Sequence, residues 1–196
     1  MNNEFSPVFR FVICSDSHIE GVGTPGYLRL KKTIDYSLDF ASKASNYNKI
    51  DAFFIAGDIT NKGSKEEFDS FKELYDYGTE KGLNILCTVA KGHDSITMGK
   101  QSLEYYKSLT NQETDFHRVI GGFHVIGIST SRMKKHYNSV FQKMWLKKEL
   151  DKAVADTPDK PVFVIHHEHI KYTVYGSYDE DGWGKILFAD LLKKYP

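Results

Sequence analysis

Short apolar runs alternate with longer amphipathic segments along most of the chain. The runs are rich in β-branched and aromatic residues and predict buried strands at residues 8–14, 51–56, 84–89 and 161–165. Between them, apolar residues recur at helical spacing and predict helices over residues 27–44, 64–81, 98–109 and 140–155, with a last helix near 184–194. Because strands that alternate with helices form parallel sheets covered on both faces, the pattern predicts an α/β fold with a mostly parallel sheet flanked by helices.

Two further apolar runs interrupt this alternation. Residues 116–120 and 123–129 both have strand character, and Gly121 and Gly122 between them favour a tight turn, so we expect an antiparallel hairpin. Gly63 and Ser64, followed by two glutamates, are typical of a capped helix start. The sequence has no repeat or linker, and its 196 residues suffice for one hydrophobic core, so we predict a single domain over residues 1–196.

Composition and charge exclude several classes of partner. Lysine and arginine together number 26, as do aspartate and glutamate, so no broad surface of one sign is expected to attract nucleic acid or an anionic membrane. The first residues do not resemble a secretion signal, and no apolar stretch is long enough to cross a bilayer, which predicts a cytoplasmic protein. Cys14 and Cys87 each end an apolar run, and we interpret them as reduced core residues.

Polar residues that can bind metals or transfer protons follow four of the predicted strands. They are Asp16, Ser17 and His18 after the first strand, Asp58 after the second, His93 and Asp94 after the third, and His166 to His169 after the last. Ligands of open α/β sheets bind beyond the carboxyl ends of strands, so these side chains are expected to converge. Asp16 and His18 are two residues apart, and in extended chain their side chains would point the same way and grip one ion. Mixed carboxylate and imidazole ligands favour manganese, iron or zinc over calcium.

The order of these motifs resembles that of the calcineurin-like metallophosphoesterases. Asp-x-His, Gly-Asp, a Gly-His-Asp loop and a histidine after a later strand follow one another, and the match runs from Asp16 to His166. The resemblance implies a metallophosphoesterase-type layered α/β sandwich that hydrolyses a phosphomonoester or phosphodiester substrate. It also implies two divalent metal ions, which would clamp the phosphoryl oxygens and lower the pKa of a bound water. By this resemblance Asp16 and His18 would bind the first ion, and Asp58 would bridge both.

The resemblance assigns the remaining roles to residues after the later strands. His166 would bind the second ion. His167 is the alternative, because the family's histidine is usually followed one residue later by a proline, and Glu168 fills that place here. His93 would be the histidine that is not a ligand and instead donates a proton to the phosphate or the leaving group, with Asp94 orienting it.

Two features depart from the family pattern. The family has Gly-Asn-His-Asp/Glu where this chain has Ala90-Lys91-Gly92-His93-Asp94, so the asparagine that binds the second ion is missing. Either Gly92 replaces the asparagine, or the asparagine has been deleted and His93 is shifted by one residue. The family's later Gly-His-x-His motif is also absent, which predicts that the chain is truncated before its last strands.

These departures determine the activity that we expect. The second ion would keep only two protein ligands, which predicts weak binding or a single bound ion, and impaired hydrolysis. The rival hypothesis is a non-catalytic binding or scaffold protein that retains the fold. Truncation would also expose an unpaired sheet edge, through which chains are expected to self-associate. His117, His124 and His136 show no partner pattern, and we interpret them as structural or surface residues.

Overall fold

Strands and helices alternate in the structure as the sequence pattern predicts. The computed structural model describes residues 6–90, 92–130, 140–170, 173, 175, 177 and 186–195. Its strands are β1 (Phe11–Cys14), β2 (Ala52–Ala56), β3 (Ile85–Thr88), β4 (Phe116–Ile120), β5 (Phe123–Ile128) and β6 (Phe163–His166). Its helices are α1 (Pro25–Ser42), α2 (Lys65–Glu80), α3 (Gln101–Thr110), α4 (Val140–Asp156) and α5 (Ile186–Leu192), and His93–Ser95 form a short 3-10 turn. The first strand begins at Phe11 rather than at Val8.

The described strands form two three-stranded sheets rather than one. In the first sheet β1, β2 and β3 pair in that order, and all are parallel. In the second sheet β4 and β5 form the predicted antiparallel hairpin, and β6 pairs in parallel with the other side of β5. Most neighbouring strands are thus parallel, and the prediction of a layered α/β sandwich is confirmed.

The two sheets pack face to face through the alternating side chains of their strands. In β2, Phe54 faces the second sheet, whereas Phe53 and Ile55 face the helices. The shared core between the sheets consists of Ala52, Phe54, Ala56, Leu86, Phe116, Val125 and Ile165. Gly127 in β5 has no side chain, and the ring of Phe116 occupies that space, since a Cβ atom at Gly127 would lie 2.2 Å from it.

Helices cover the outer faces of both sheets, so the molecule has four layers in the order helix, sheet, sheet, helix. Helices α1, α2 and α3 pack on the first sheet through Leu30, Ile34, Phe68, Phe71, Leu74, Leu103 and Tyr106. Helices α4 and α5 pack on the second sheet through Leu146, Leu150, Phe188 and Leu191. A capping box between Ser64 and Glu67 begins α2, as the sequence predicts.

The fold also bears on two predictions made from composition. Cys87 is buried and Cys14 is half-buried, and both are free thiols. Burial raises the pKa of Cys14 to about 11, which keeps the thiol protonated at neutral pH. Within the described part of the chain, no helix combines the length and the apolar character that spanning a bilayer requires.

Candidate metal centre

The loops that follow β1 and β2 run side by side at the carboxyl edge of the first sheet. Backbone hydrogen bonds join the amide of Asp16 to the carbonyl of Gly57 (3.2 Å) and the amide of His18 to the carbonyl of Asp58 (3.1 Å). Asp16, His18 and Asp58 have φ angles of 56°, 45° and 49°, a left-handed conformation that residues with a Cβ rarely adopt. This backbone, and not the extended strand expected from the sequence, turns the three side chains towards a common point.

Asp58 lies at the centre of the side chains that converge. One set comprises His18, Asp58 and His93, the other comprises Asp16, Asp58 and His167, and within each set the ligand atoms lie within 4.8 Å of one another. Nε2 of His18 is 3.6 Å from Oδ1 of Asp16 and 4.0 Å from Oδ2 of Asp58. Because Asp58 belongs to both sets, its carboxylate is placed where two ions could share it.

His167, the alternative to His166, points into this centre. Its Nδ1–H donates to the carbonyl oxygen of Ala56 at 2.7 Å, and its Nε2 lies 3.4 Å from Oδ2 of Asp58. Gly57 makes this approach possible, because a Cβ atom at that position would lie only 2.7 Å from the ring of His167. A carbonyl that fixes Nδ1 leaves Nε2 as the ligand atom, which is a common arrangement of metal-binding histidines.

His166, the ligand predicted from the family resemblance, lies beside the centre rather than in it. Its Nδ1–H donates to the carbonyl oxygen of Glu168 at 3.0 Å, and its ring packs against Phe188 in α5 with centroids 5.7 Å apart. Burial lowers the pKa of His166 to about 4. Side chains alternate along β6, and His166 shares the helix-facing side with Val164. The structure therefore favours His167 for the ligand position that the resemblance gave to His166.

His93 faces His18 across the centre. The two ring centroids are 4.4 Å apart, and Nδ1–H of His93 donates to the carbonyl oxygen of Asn61 at 2.6 Å. With Nδ1 occupied in this way, Nε2 is the atom available to the centre. The backbone of Asn61 therefore orients the imidazole that the sequence predicts as the proton donor.

Asp94 is fully buried and holds a loop rather than the ring of His93. Its Oδ1 accepts hydrogen bonds from the amide and the hydroxyl of Thr60, both at 2.8 Å, and its Oδ2 accepts one from the amide of Ala90 at 2.9 Å. Burial raises the pKa of Asp94 to about 6, although these hydrogen bonds lower it. None of its hydrogen bonds to described residues reaches His93, so the orienting role predicted for Asp94 is indirect: it ties the loop after β3 to the loop after β2.

Asp58 and His167 form an ion pair at the centre. Burial raises the pKa of Asp58, but the hydrogen bond and the charge of His167 outweigh it, and the pKa ends below its ordinary value. Burial lowers the pKa of His167, but the hydrogen bond and the charge of Asp58 outweigh it and raise the pKa to about 9. A metal ion that binds Nε2 of His167 must displace this proton.

The residues of the centre fit a metal ion. Oδ1 of Asp58 and Nδ1 of His18 are buried and have no hydrogen-bond partner among the described residues. Buried polar atoms are nearly always paired, so an unpaired carboxylate oxygen at this place indicates a missing positive partner. The cavity beside them measures about 350 Å³ and is lined by Asp16, Asp58, Ala90, Gly92, His93, His167, Glu168 and His169.

Gly92 lines the cavity close to Asp58, in the loop where the family resemblance expects an asparagine. A Cβ atom added at Gly92 would lie 3.8 Å from Oδ1 of Asp58, and apart from chain neighbours no other described residue would come within 4 Å of it. The direction from residue 92 towards Asp58 is the one that a ligand side chain would need. This geometry favours replacement of the asparagine by Gly92 over its deletion.

Glu168 lines the cavity although the sequence pattern gave it no role. Burial raises the pKa of Glu168 to about 7, against the lowering effects of the His167 charge and the nearby Thr130 hydroxyl. The available signal was the residue type itself, since a carboxylate stands in this chain where the family usually has proline. Of the other histidines, His117 and His124 lie in β4 and β5, and His136 lies outside the described residues.

Comparison with known proteins identifies the family of the chain. A family of calcineurin-like phosphoesterases matches residues 9–196. A probable glycerophosphodiester phosphodiesterase, GpdQ, from Arcobacter nitrofigilis is 30% identical over 192 residues. That match covers 92% of this chain and 65% of the relative, so the chain spans less than two thirds of the relative's length. Because the family matches nearly the whole chain, the protein belongs to the calcineurin-like phosphoesterase family.

Proposed function

We propose that this chain hydrolyses phosphate esters, phosphodiesters in preference to monoesters, at a centre of two divalent metal ions. The observation that carries the proposal is the place of Asp58, whose carboxylate belongs to both sets of ligand residues. The printed name of the relative, a glycerophosphodiester phosphodiesterase, supports the choice of a diester. Bound ions of this kind clamp the phosphoryl oxygens and supply a hydroxide at neutral pH.

Each residue has a part in the proposed reaction. By the family resemblance Asp16 and His18 would hold one ion and His167 the other, with Asp58 shared, although the geometry groups Asp16 with His167 and His18 with His93. His93 donates a hydrogen bond or a proton from Nε2 to the phosphate or to the leaving oxygen, because Asn61 fixes its Nδ1. The left-handed backbone at three of the ligands places them before any substrate arrives, which removes the cost of ordering them later.

Turnover of a chromogenic phosphodiester in the presence of manganese tests the proposal. We expect hydrolysis by the parent chain and losses of at least about a hundredfold in Asp58→Asn and His93→Ala, with Asp76→Asn as the matched surface control. Asp76 lies on the surface of α2 and pairs with Lys72 of the same helix. No turnover with manganese, iron or zinc would support the rival function, a non-catalytic binding protein that retains the fold.

Metal content separates two possible roles of His93. Its ring lies close enough to His18 and Asp58 to serve as a ligand, while the family resemblance makes it a proton donor. A donor role predicts that His93→Ala binds as much manganese as the parent and loses only turnover. A ligand role predicts that His93→Ala loses both.

Impaired activity is the second part of the proposal. Gly92 provides no ligand side chain, so the second ion has fewer protein ligands than the family pattern supplies. We expect the second manganese to bind at least about tenfold more weakly than the first and turnover to rise with manganese concentration until that weaker site fills. Equal affinity at both sites would contradict this part and leave the hydrolase proposal intact.

A further inference from the structure

The loss of a ligand at position 92 raises the question of which side chain compensates for it. Gly92 has no side chain that could bind an ion, so the missing ligand would have to come from another wall of the cavity.

The cavity has a second buried carboxylate besides Asp58, that of Glu168, and its oxygens have no assigned function. Its side chain is 3% exposed, and it lines the same space as Asp58, Gly92 and His167. The chain bends at His167 and Glu168, directly after β6, and both residues line the cavity.

The carboxylate of Glu168 has little to compensate its burial. Neither oxygen has a hydrogen bond of ordinary geometry to a described residue. Nδ1 of His166 lies 3.3 Å from Oε2, but the hydrogen on that atom is donated to the carbonyl of Glu168 at 3.0 Å. A carboxylate buried in this way costs stability unless a positive partner is present.

We propose that Glu168 is a ligand of the second metal ion and replaces the side chain that position 92 lacks. This inference rests on the proposed function, since it assumes the ion shared by Asp58 and His167. A carboxylate in place of an amide adds one negative charge to that ion's ligands, which strengthens binding of a divalent cation. The proline of the family pattern has no ligand atom at position 168. Relative to that pattern, this chain has glycine for asparagine at 92 and glutamate for proline at 168, so the ligand would come from position 168 instead of position 92.

Manganese binding by variants of Glu168 tests this inference, with manganese alone as the probe. Stoichiometry and affinity are measured by titration calorimetry and by metal analysis of the protein after gel filtration. Glu168→Ala removes the ligand, and Glu168→Gln keeps the shape of the side chain while removing its charge. Glu149→Gln is the matched control, because Glu149 in α4 is 7% exposed over the whole residue, as Glu168 is.

We expect Glu168→Ala and Glu168→Gln to lose the second manganese or to bind it at least about tenfold more weakly. The control should bind as the parent does. In the presence of EDTA, both Glu168 variants should unfold at the same or a higher urea concentration than the parent, because a costly buried carboxylate has been removed. Lower stability in EDTA together with parental manganese binding would make Glu168 a structural residue and overturn the inference.

The outcomes also separate this inference from the proposed function. If Asp58→Asn loses both ions while the Glu168 variants keep parental stoichiometry and affinity, only the role of Glu168 is overturned. If the parent chain binds no manganese at all, the proposed two-metal centre fails together with the inference.

Discussion

Gly57 connects β2 to the ligand loop and is where the ring of His167 approaches the first sheet. Its φ of 77° is readily available only to glycine, and the ring occupies the space that a side chain would need. Gly82 offers a comparison within the same chain, since its φ is 87° and nothing lies within 4 Å of its Cβ position. Gly82 thus has only the backbone requirement, whereas Gly57 has the same backbone requirement and also leaves room for the ring of His167.

Substitution of these glycines measures what the approach of His167 contributes. We expect Gly82→Ala to lower the free energy of unfolding by about 1 kcal/mol, through backbone strain alone. Gly57→Ala should lose at least about 1 kcal/mol more, because the ring of His167 must also move. Urea unfolding measures both, and equal losses would show that the contact has no energetic weight.

The ion pair of Asp58 and His167 makes stability depend on pH when no metal is bound. The pKa of His167 is about 9 in the fold, against an ordinary value of 6.5. Because the folded-state pKa is the higher one, its stabilisation is complete below about pH 6.5 and is lost as the pH rises through about 9. In EDTA we therefore expect urea stability to fall across this range, and His167→Gln to lack most of the fall. An equal fall in that variant would assign the pH dependence to other groups.

The convergence of candidate ligands could be predicted where a strand end alone fixes their place. Asp16, His18 and Asp58 follow apolar runs directly, and the edge of a parallel sheet brings such residues together. The choice between His166 and His167 could not be made in this way. It depends on which face of β6 packs on α5 and on the bend after the strand, and both are set by tertiary contacts.

At the scale of elements, a chain of hydrogen bonds joins the β4–β5 hairpin to α4. Nδ1 of His117 pairs with Oε2 of Glu149 (2.8 Å), and its Nε2 pairs with Nδ1 of His124 (2.8 Å). Nε2 of His124 then pairs with Oδ2 of Asp156 at 2.9 Å. These histidines are structural, as the sequence suggested, and the chain fixes the helix across the hairpin.

Breaking the middle of this chain should weaken the attachment of α4. His124 is 4% exposed, so His124→Ala leaves Nε2 of His117 without its hydrogen-bond partner and should lower the free energy of unfolding by about 1–3 kcal/mol. Asp156 is 65% exposed and can be solvated, so Asp156→Asn is the control and should cost less than about 1 kcal/mol. Thermal unfolding compares the two variants, and a larger loss in the control would contradict this reading of the network.

The elements themselves were predictable because their periodicity is strong. An apolar face and the residues of a capping box predict helix α2, and the paired glycines predict the hairpin. The division of the strands between two sheets was not predictable. A run such as Ala52–Ala56 shows burial on both faces, but not whether a helix or a second sheet covers each face.

At the scale of the molecule, β1 forms an edge of the first sheet. It pairs with β2 on one side and with no other described strand. Ile13 in this strand is 52% exposed and Val8 before it is 71% exposed. A groove of about 710 Å³ runs between β1 and α1 and includes Arg10 and Phe40 in its lining. An edge of this kind can template pairing with another chain.

Self-association through a sheet edge stays a prediction, and for the edge formed by β1 sedimentation velocity tests it. We expect the sedimentation coefficient of the parent chain to rise with protein concentration. Ile13→Lys should abolish the rise, because a charged residue on an edge strand opposes pairing. The exposed Val154→Lys in α4 serves as the control and should associate as the parent does. A parent that sediments as a monomer at all concentrations would contradict the prediction.

The candidate ligands are drawn from both halves of the sandwich. Asp16, His18 and Asp58 follow strands of the first sheet, whereas His167 and Glu168 follow β6 of the second. An ion held among them would link the two sheets, so the free energy of metal binding would also stabilise the packing of one sheet on the other. The metal concentration would then determine how cooperatively the two sheets unfold. A chelator would therefore weaken the contact between the sheets as well as any hydrolysis.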